Sequence, residues 1–118
     1  MSSRILVVDD SPQFRSAAAR LLAIRGLEPF GLAAGGEEAL SAIEHGSPDG
    51  VLLDINLPGR DGFEVATALS ARWPGVPIVL MSSETDEVEN SQLERCGARA
   101  FVPKTELATA DLDVLFRV

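Results

Sequence analysis

The stretch Val51-Leu52-Leu53-Asp54-Ile55-Asn56-Leu57-Pro58-Gly59-Arg60-Asp61-Gly62 constrains this chain most. A short apolar run ends in a carboxylate, then meets a Pro-Gly turn and an Asp-Gly pair. Apolar runs of this length between turn residues suit a strand buried on both faces of a sheet. A carboxylate in such a run is costly to bury unless it stands at the strand end, within reach of water, metal or substrate. Asp54 is therefore expected at the carboxyl end of a strand, beneath an opening loop. Open α/β sheets bind their ligands at that edge.

The rest of the chain repeats the pattern. Residues 5–8 read as a first buried strand, ended by Asp9-Asp10. Ser11-Pro12 opens a helix, with proline suited to the first turn. Phe14, Ala18, Leu21 and Leu22 form its apolar stripe, and Gly26 stops it. Residues 28–32 form a weaker, edge-like strand. A short helix follows Gly35-Gly36, with Ala39, Leu40 and Ile43 on one face. A third helix carries Phe63, Ala66, Leu69 and Trp73. Residues 77–81 read as a buried strand ending at Ser82-Ser83-Glu84. An acidic helix is expected from about Asp86 to Cys96-Gly97. The last strand spans 98–102, and Lys104-Thr105 leads into a final helix with Leu112, Leu115 and Phe116 inward. Five βα units argue for a doubly wound parallel sheet. With right-handed crossovers and one switch point, the order is the flavodoxin-like 2-1-3-4-5.

The 118 residues suit one domain, 1–118, and 46% hydrophobic residues supply a core. No apolar run approaches a membrane span, and the N-terminus lacks the form of a signal peptide. Cys96 is the single cysteine, so an intrachain disulfide and a cysteine zinc cluster are both excluded. A soluble cytoplasmic protein without a membrane partner is expected. The net charge of −8 makes the chain a poor grip for phosphate backbones, so no direct nucleic-acid contact is expected. Neither a P-loop nor a G-x-G-x-x-G follows the first strand.

The strand ends bring a specific set together. The first strand delivers Asp9 and Asp10, the third Asp54, the fourth Ser82 and the fifth Lys104. In the 2-1-3-4-5 order the first and third strands are neighbours, so three carboxylates crowd one place. Such crowding raises carboxylate pKa values and opposes folding. A divalent cation resolves it, and a few carboxylates with a carbonyl and waters suit Mg²⁺, which favours phosphate as a further ligand. A lysine and a hydroxyl beside it can hold a phosphoryl group.

In these residues the chain resembles the receiver domain of two-component response regulators. The matching pieces are Val7-Val8-Asp9-Asp10-Ser11, the stretch from Leu53 to Gly62, Pro77-Ile78-Val79-Leu80-Met81-Ser82, and Gly97-Ala98-Arg99-Ala100-Phe101-Val102-Pro103-Lys104. They cover nearly the whole chain in order. The resemblance implies that Asp54 accepts a phosphoryl group from a phosphohistidine of a sensor histidine kinase or histidine phosphotransfer protein. It implies Mg²⁺ bound by Asp10 directly, by Asp9 mostly through water, by Asp54 and by the Asn56 carbonyl. Lys104 would pair with Asp54 and then with phosphoryl oxygens. Ser82 would be drawn to the phosphoryl group, and Phe101 would turn inward to fill the space it leaves. The surface of the fourth helix, fifth strand and fifth helix would then change for a downstream protein, a covalently linked effector domain or a phosphorylation-dependent homodimer. Asn56 and Glu84 would tune hydrolysis, with a short-lived phosphoryl state expected.

One departure stands out. Receivers commonly have proline after this lysine, joined by a cis bond; here Thr105 follows and Pro103 precedes. A cis bond without proline costs ~3–4 kcal/mol, so Lys104-Thr105 is expected to be trans or strained, with Thr105 a candidate helix N-cap. Taken singly, Asp9, Asp10 and Ser11 read as helix caps, Asp54 as a turn residue and Phe101 as strand packing. His45 reads as a helix-end dipole contact and Cys96 as a small buried residue. An aspartyl-phosphate hydrolase of the haloacid-dehalogenase kind would need Asp-x-Asp and a cap insertion, and both are missing. A phosphorylation-independent interaction module with a retained site is the remaining alternative.

Overall fold

The computed structural model describes residues 3–83 and 87–117. Five strands, β1 (Arg4–Val8), β2 (Glu28–Ala33), β3 (Gly50–Asp54), β4 (Ile78–Ser82) and β5 (Ala100–Pro103), form one parallel sheet in the order β2-β1-β3-β4-β5. The helices are α1 (Pro12–Ile24), α2 (Gly36–Gly46), α3 (Gly62–Arg72), α4 (Asn90–Cys96) and α5 (Leu112–Leu115). The expected flavodoxin-like order is therefore present.

Strand alternation divides the core in two. Leu6, Val8, Val51, Leu53, Ile78 and Leu80 join Ala39, Ile43, Val65 and Leu69 on one side of the sheet. Ile5, Val7, Leu52, Val79 and Met81 join Ala18, Leu22, Leu112 and Phe116 on the other. β1, β3 and β4 are buried on both faces, which explains their unbroken apolar runs. β2 lies at an edge, as its weaker pattern predicts, and its register with β1 slips between Ile5 and Leu6. An edge also accommodates Pro29, which has no N–H for a second ladder.

The C-terminal part differs from expectation. The expected helix start near Asp86 lies outside the described residues. Glu89 is extended, its N–H donates to Oε1 of Gln92, and α4 begins only at Asn90. Gly97 ends α4 in the left-handed region (φ +78°), and Ala98 donates back to the Leu93 carbonyl. That reversal uses Ala98, so β5 starts at Ala100 rather than 98. The Lys104-Thr105 bond is trans. Instead of a long final helix, Lys104–Glu106 forms a 3-10 turn and α5 has four residues. Thr105 sits inside the turn. The N-cap of α5 is Asp111, whose Oδ1 accepts from the Val114 N–H at 3.4 Å. Asp and Thr side chains compete with helical backbone bonds, and Thr109 Oγ1 does so here by donating to the Glu106 carbonyl.

Candidate functional site

β1 and β3 are hydrogen-bonded neighbours, so their carboxyl ends emerge side by side. Asp9 follows β1 and is fully buried; Asp10 beside it is exposed. The Asp9 Oδ1 accepts from the Ser11 N–H at 2.9 Å, and its carbonyl accepts from Arg15 Nη1 at 2.7 Å. Ser11 then caps α1, its Oγ accepting from the Phe14 N–H at 3.2 Å, with Pro12 in the first turn. Helix start and acid pair are thus fixed by one short loop.

Asp54 is the last residue of β3 and is 3% exposed. Its Oδ1 accepts from the Asn56 N–H at 3.0 Å. The loop then turns through Gly59 (φ +82°) and closes back, with the Gly62 N–H donating to the Ile55 carbonyl at 2.9 Å. A Cβ on Gly62 would lie 2.4 Å from the Ile55 Cα and 2.5 Å from the Asp54 carbonyl oxygen, so only glycine lets α3 begin this close to the acid.

Ser82 ends β4 and is buried, whereas Ser83 is exposed. The Asn56 Nδ2 donates to the Ser82 Oγ at 3.0 Å. Lys104 follows β5 and reaches across. Its Nζ lies 2.6 Å from Asp9 Oδ2 and 3.3 Å from Asp54 Oδ2. Phe101 pairs in register with Leu80 and is half-buried against the core on the α2–α4 side. Glu84 lies outside the described residues.

The charges are unevenly matched. Burial pushes the Asp54 carboxyl above its usual value; the Asn56 N–H and Lys104 pull it down, and Asp9 adds to the rise. Burial also opposes the Lys104 charge. The hydrogen bond with Asp9, with the negative charges of Asp54 and Asp9, outweighs it and holds Lys104 above the ordinary lysine value. Apart from its 2.6 Å contact with Lys104 Nζ, Asp9 Oδ2 has no polar partner among the described residues. Asp9, Asp10 and Asp54 can each offer an oxygen, all within 4.8 Å of one another. An all-oxygen donor set with excess negative charge and an under-satisfied buried oxygen fits a hard divalent cation such as Mg²⁺.

Two contacts have no forerunner in the sequence pattern. Phe14 reads there only as part of a helix stripe, yet Lys104 Nζ lies 4.2 Å from its ring centroid. Arg15 has no periodic signal at all. Only the spacing from Asp10, one helical turn into α1, could have pointed to either.

Residues 5–114 match the family described as response regulator receiver domain. The chain is 38% identical over 111 residues to a protein-glutamate methylesterase/protein-glutamine glutaminase of Archaeoglobus fulgidus, covering 92% of this chain and 32% of that protein. It is 38% identical over 104 residues to the DNA-binding response regulator MtrA of Mycolicibacterium smegmatis, covering 88% and 45%. The chain thus spans less than half the length of either relative. Among solved structures, a LuxR-family two-component response regulator of Aurantimonas superposes with a TM-score of 0.85 at 27% identity, covering 98% of this chain and 86% of that one. The chemotaxis response regulator CheY4 of Vibrio cholerae gives 0.80 at 26%, covering 98% and 100%. No helix among the described residues is long and apolar enough to cross a membrane. The chain belongs to the response regulator receiver domains, the signalling domains of two-component phosphorelays.

Proposed function

We propose that residues 1–118 work as one phosphoacceptor domain in the cytoplasm, with Asp54 taking a phosphoryl group from a phosphohistidine of a sensor kinase or phosphotransfer protein. The observation that carries this reading is the set of Asp9, Asp10 and Asp54 oxygens within 4.8 Å, with Lys104 Nζ 3.3 Å from Asp54. An Asp54 carboxylate oxygen attacks phosphorus; the P–O bond forms as the P–N bond breaks, and the imidazole nitrogen keeps the electron pair. A carboxylate nucleophile needs no general base, so positioning and charge neutralisation are the protein's part. Bound Mg²⁺ would supply positive charge at the phosphoryl oxygens. Asp9, Asp10, Asp54 and the Asn56 carbonyl would hold it. The Asn56 N–H orients Asp54, and Lys104 offers its charge to a phosphoryl oxygen.

Ser82 is the hydroxyl that follows the phosphoryl group, and Phe101 the aromatic that moves with it. Because Asn56 already donates to Ser82, that step exchanges one hydrogen bond for another. Asn56 and Glu84 set the rate at which water cleaves the acyl phosphate. Outputs are a protein contact, an attached effector domain or a homodimer, through the α4–β5–α5 surface. The chain catalyses only its own phosphorylation and dephosphorylation.

Incubation with acetyl phosphate and Mg²⁺, followed by intact mass, tests this. One phosphoryl group is expected, absent in Asp54→Asn and after chelation, and decaying within minutes once donor is removed. No mass gain with several donors favours a phosphorylation-independent interaction module. A half-life of many hours would remove the tuning role given to Asn56 and Glu84.

A further inference from the structure

We infer that Phe14 is a positioning residue for phosphoryl transfer, its ring face holding the Lys104 ammonium between Asp9 and Asp54. Lys104 Nζ stands 4.2 Å from the ring centroid, 2.6 Å from Asp9 Oδ2 and 3.3 Å from Asp54 Oδ2. A cation over an aromatic face is attracted by the ring quadrupole, most strongly where water is excluded. The lysine side chain is only 13% exposed, so the contact is largely desolvated.

The placement is built rather than incidental. Ser11 Oγ accepts from the Phe14 N–H, so the cap that follows the acid pair also fixes Phe14 in the first turn of α1. Lys104 and Phe14 line one cleft of about 260 Å³, together with Leu21 and Leu107. A lysine stem is flexible, and the Lys104 backbone sits where β5 gives way to the short turn Lys104–Glu106. Two carboxylates alone would let the ammonium settle on Asp9, its closer partner. The ring gives it a third contact that remains when the ammonium shifts from Asp9 toward a phosphoryl oxygen on Asp54. Sliding across a π face keeps that attraction, whereas a directed hydrogen bond would have to break.

This inference rests on the phosphoacceptor reading, and the test separates the two. Phe14→Leu keeps apolar bulk but removes the ring; Phe14→Tyr restores a π face. Phosphoryl uptake from acetyl phosphate is expected to slow about five- to tenfold in Phe14→Leu and to recover within about twofold of the parent in Phe14→Tyr. The ring current of Phe14 shifts the Lys104 ε-methylene protons upfield in the parent protein. That NMR signature is expected to vanish in Phe14→Leu, with the other core methyl resonances in place, and to persist in Phe14→Tyr. Uptake in Phe14→Leu equal to the parent overturns the inference, as does Phe14→Tyr slowed as much as Phe14→Leu. A Lys104 shift unchanged in Phe14→Leu overturns it too. If the parent takes up no phosphoryl group while the Lys104 shift behaves as expected, the phosphoacceptor reading fails and the kinetic role of Phe14 falls with it.

Discussion

At the scale of single residues, the site is a small excess of negative charge stabilised by one lysine. The sign of its pH dependence follows from two groups. The folded-state pKa of Asp54 is raised, so the native state binds that proton more tightly than the unfolded chain. The stability this contributes is present at low pH and is lost as pH rises through the raised value. Lys104 is also raised, so its stabilising pairing is complete below the ordinary lysine value and is lost only in strong alkali. At neutral pH without metal, Asp54→Asn is therefore expected to raise the thermal midpoint by a few degrees, on the order of 1 kcal/mol. Mg²⁺ should raise the midpoint of the parent and do so less in the variant. A midpoint lowered by Asp54→Asn, or an equal Mg²⁺ response, would count against the charge-crowding account. Most of this site was legible in the sequence, because Asp9, Asp54 and Ser82 each end a buried apolar run and Lys104 follows one. The order of burial was not. Asp9 turns inward to Lys104 while Asp10 faces solvent, and which of two adjacent acids does so depends on the backbone after β1, to which composition is blind.

At the scale of elements, legibility followed burial. β1, β3 and β4 are enclosed on both faces, so hydrophobic burial outweighs every local preference and the runs read cleanly. The segment after β5 has few buried residues, and there local side-chain bonds decide. Thr109 and Asp111 interrupt what periodicity alone extends into one helix. The β3–α3 connection lies between these extremes. Its Asp-Gly pair is visible in the sequence, but neither the Asp61 cap, which accepts from the Glu64 N–H at 2.8 Å, nor the tight approach of Gly62 to the Asp54 backbone is. Gly62→Ala forces a methyl onto backbone atoms that cannot rotate away. A loss of about 2–3 kcal/mol is expected by denaturant titration, the upper range for overpacking. Phosphoryl uptake should fall as well, because the displaced atoms belong to Asp54 and Ile55. A loss below about 0.5 kcal/mol would mean that the loop relaxes freely and does not define the position of Asp54.

At the scale of the whole molecule, attachment of the helices to the sheet is unequal. α3 buries Gly62, Val65, Ala66 and Leu69, while α4 buries only Cys96 and α5 only Leu112. Regions with few buried apolar contacts open at low free energy, and a switch draws on such regions. The register across β4 and β5 places Ser82 opposite Pro103 and Leu80 opposite Phe101, so in the proposed switch a movement of Ser82 would reach β5 and the helices flanking it first. The opposite half, β1 with α1 and β3 with α3, holds the acids in place and has to stay rigid for the site to survive the change. Hydrogen exchange by mass spectrometry, with and without beryllofluoride as an acyl-phosphate analogue, is expected to show altered protection in α4, β5 and α5. Segments of β1 and β3 should keep theirs. Sedimentation velocity on the same samples reads whether the altered surface pairs with a second copy. Protection that changes uniformly over the sheet would indicate ligand stabilisation of the whole fold. Such an outcome would leave no place for a switched surface, because a two-state element must differ from its scaffold in how it answers the phosphoryl group.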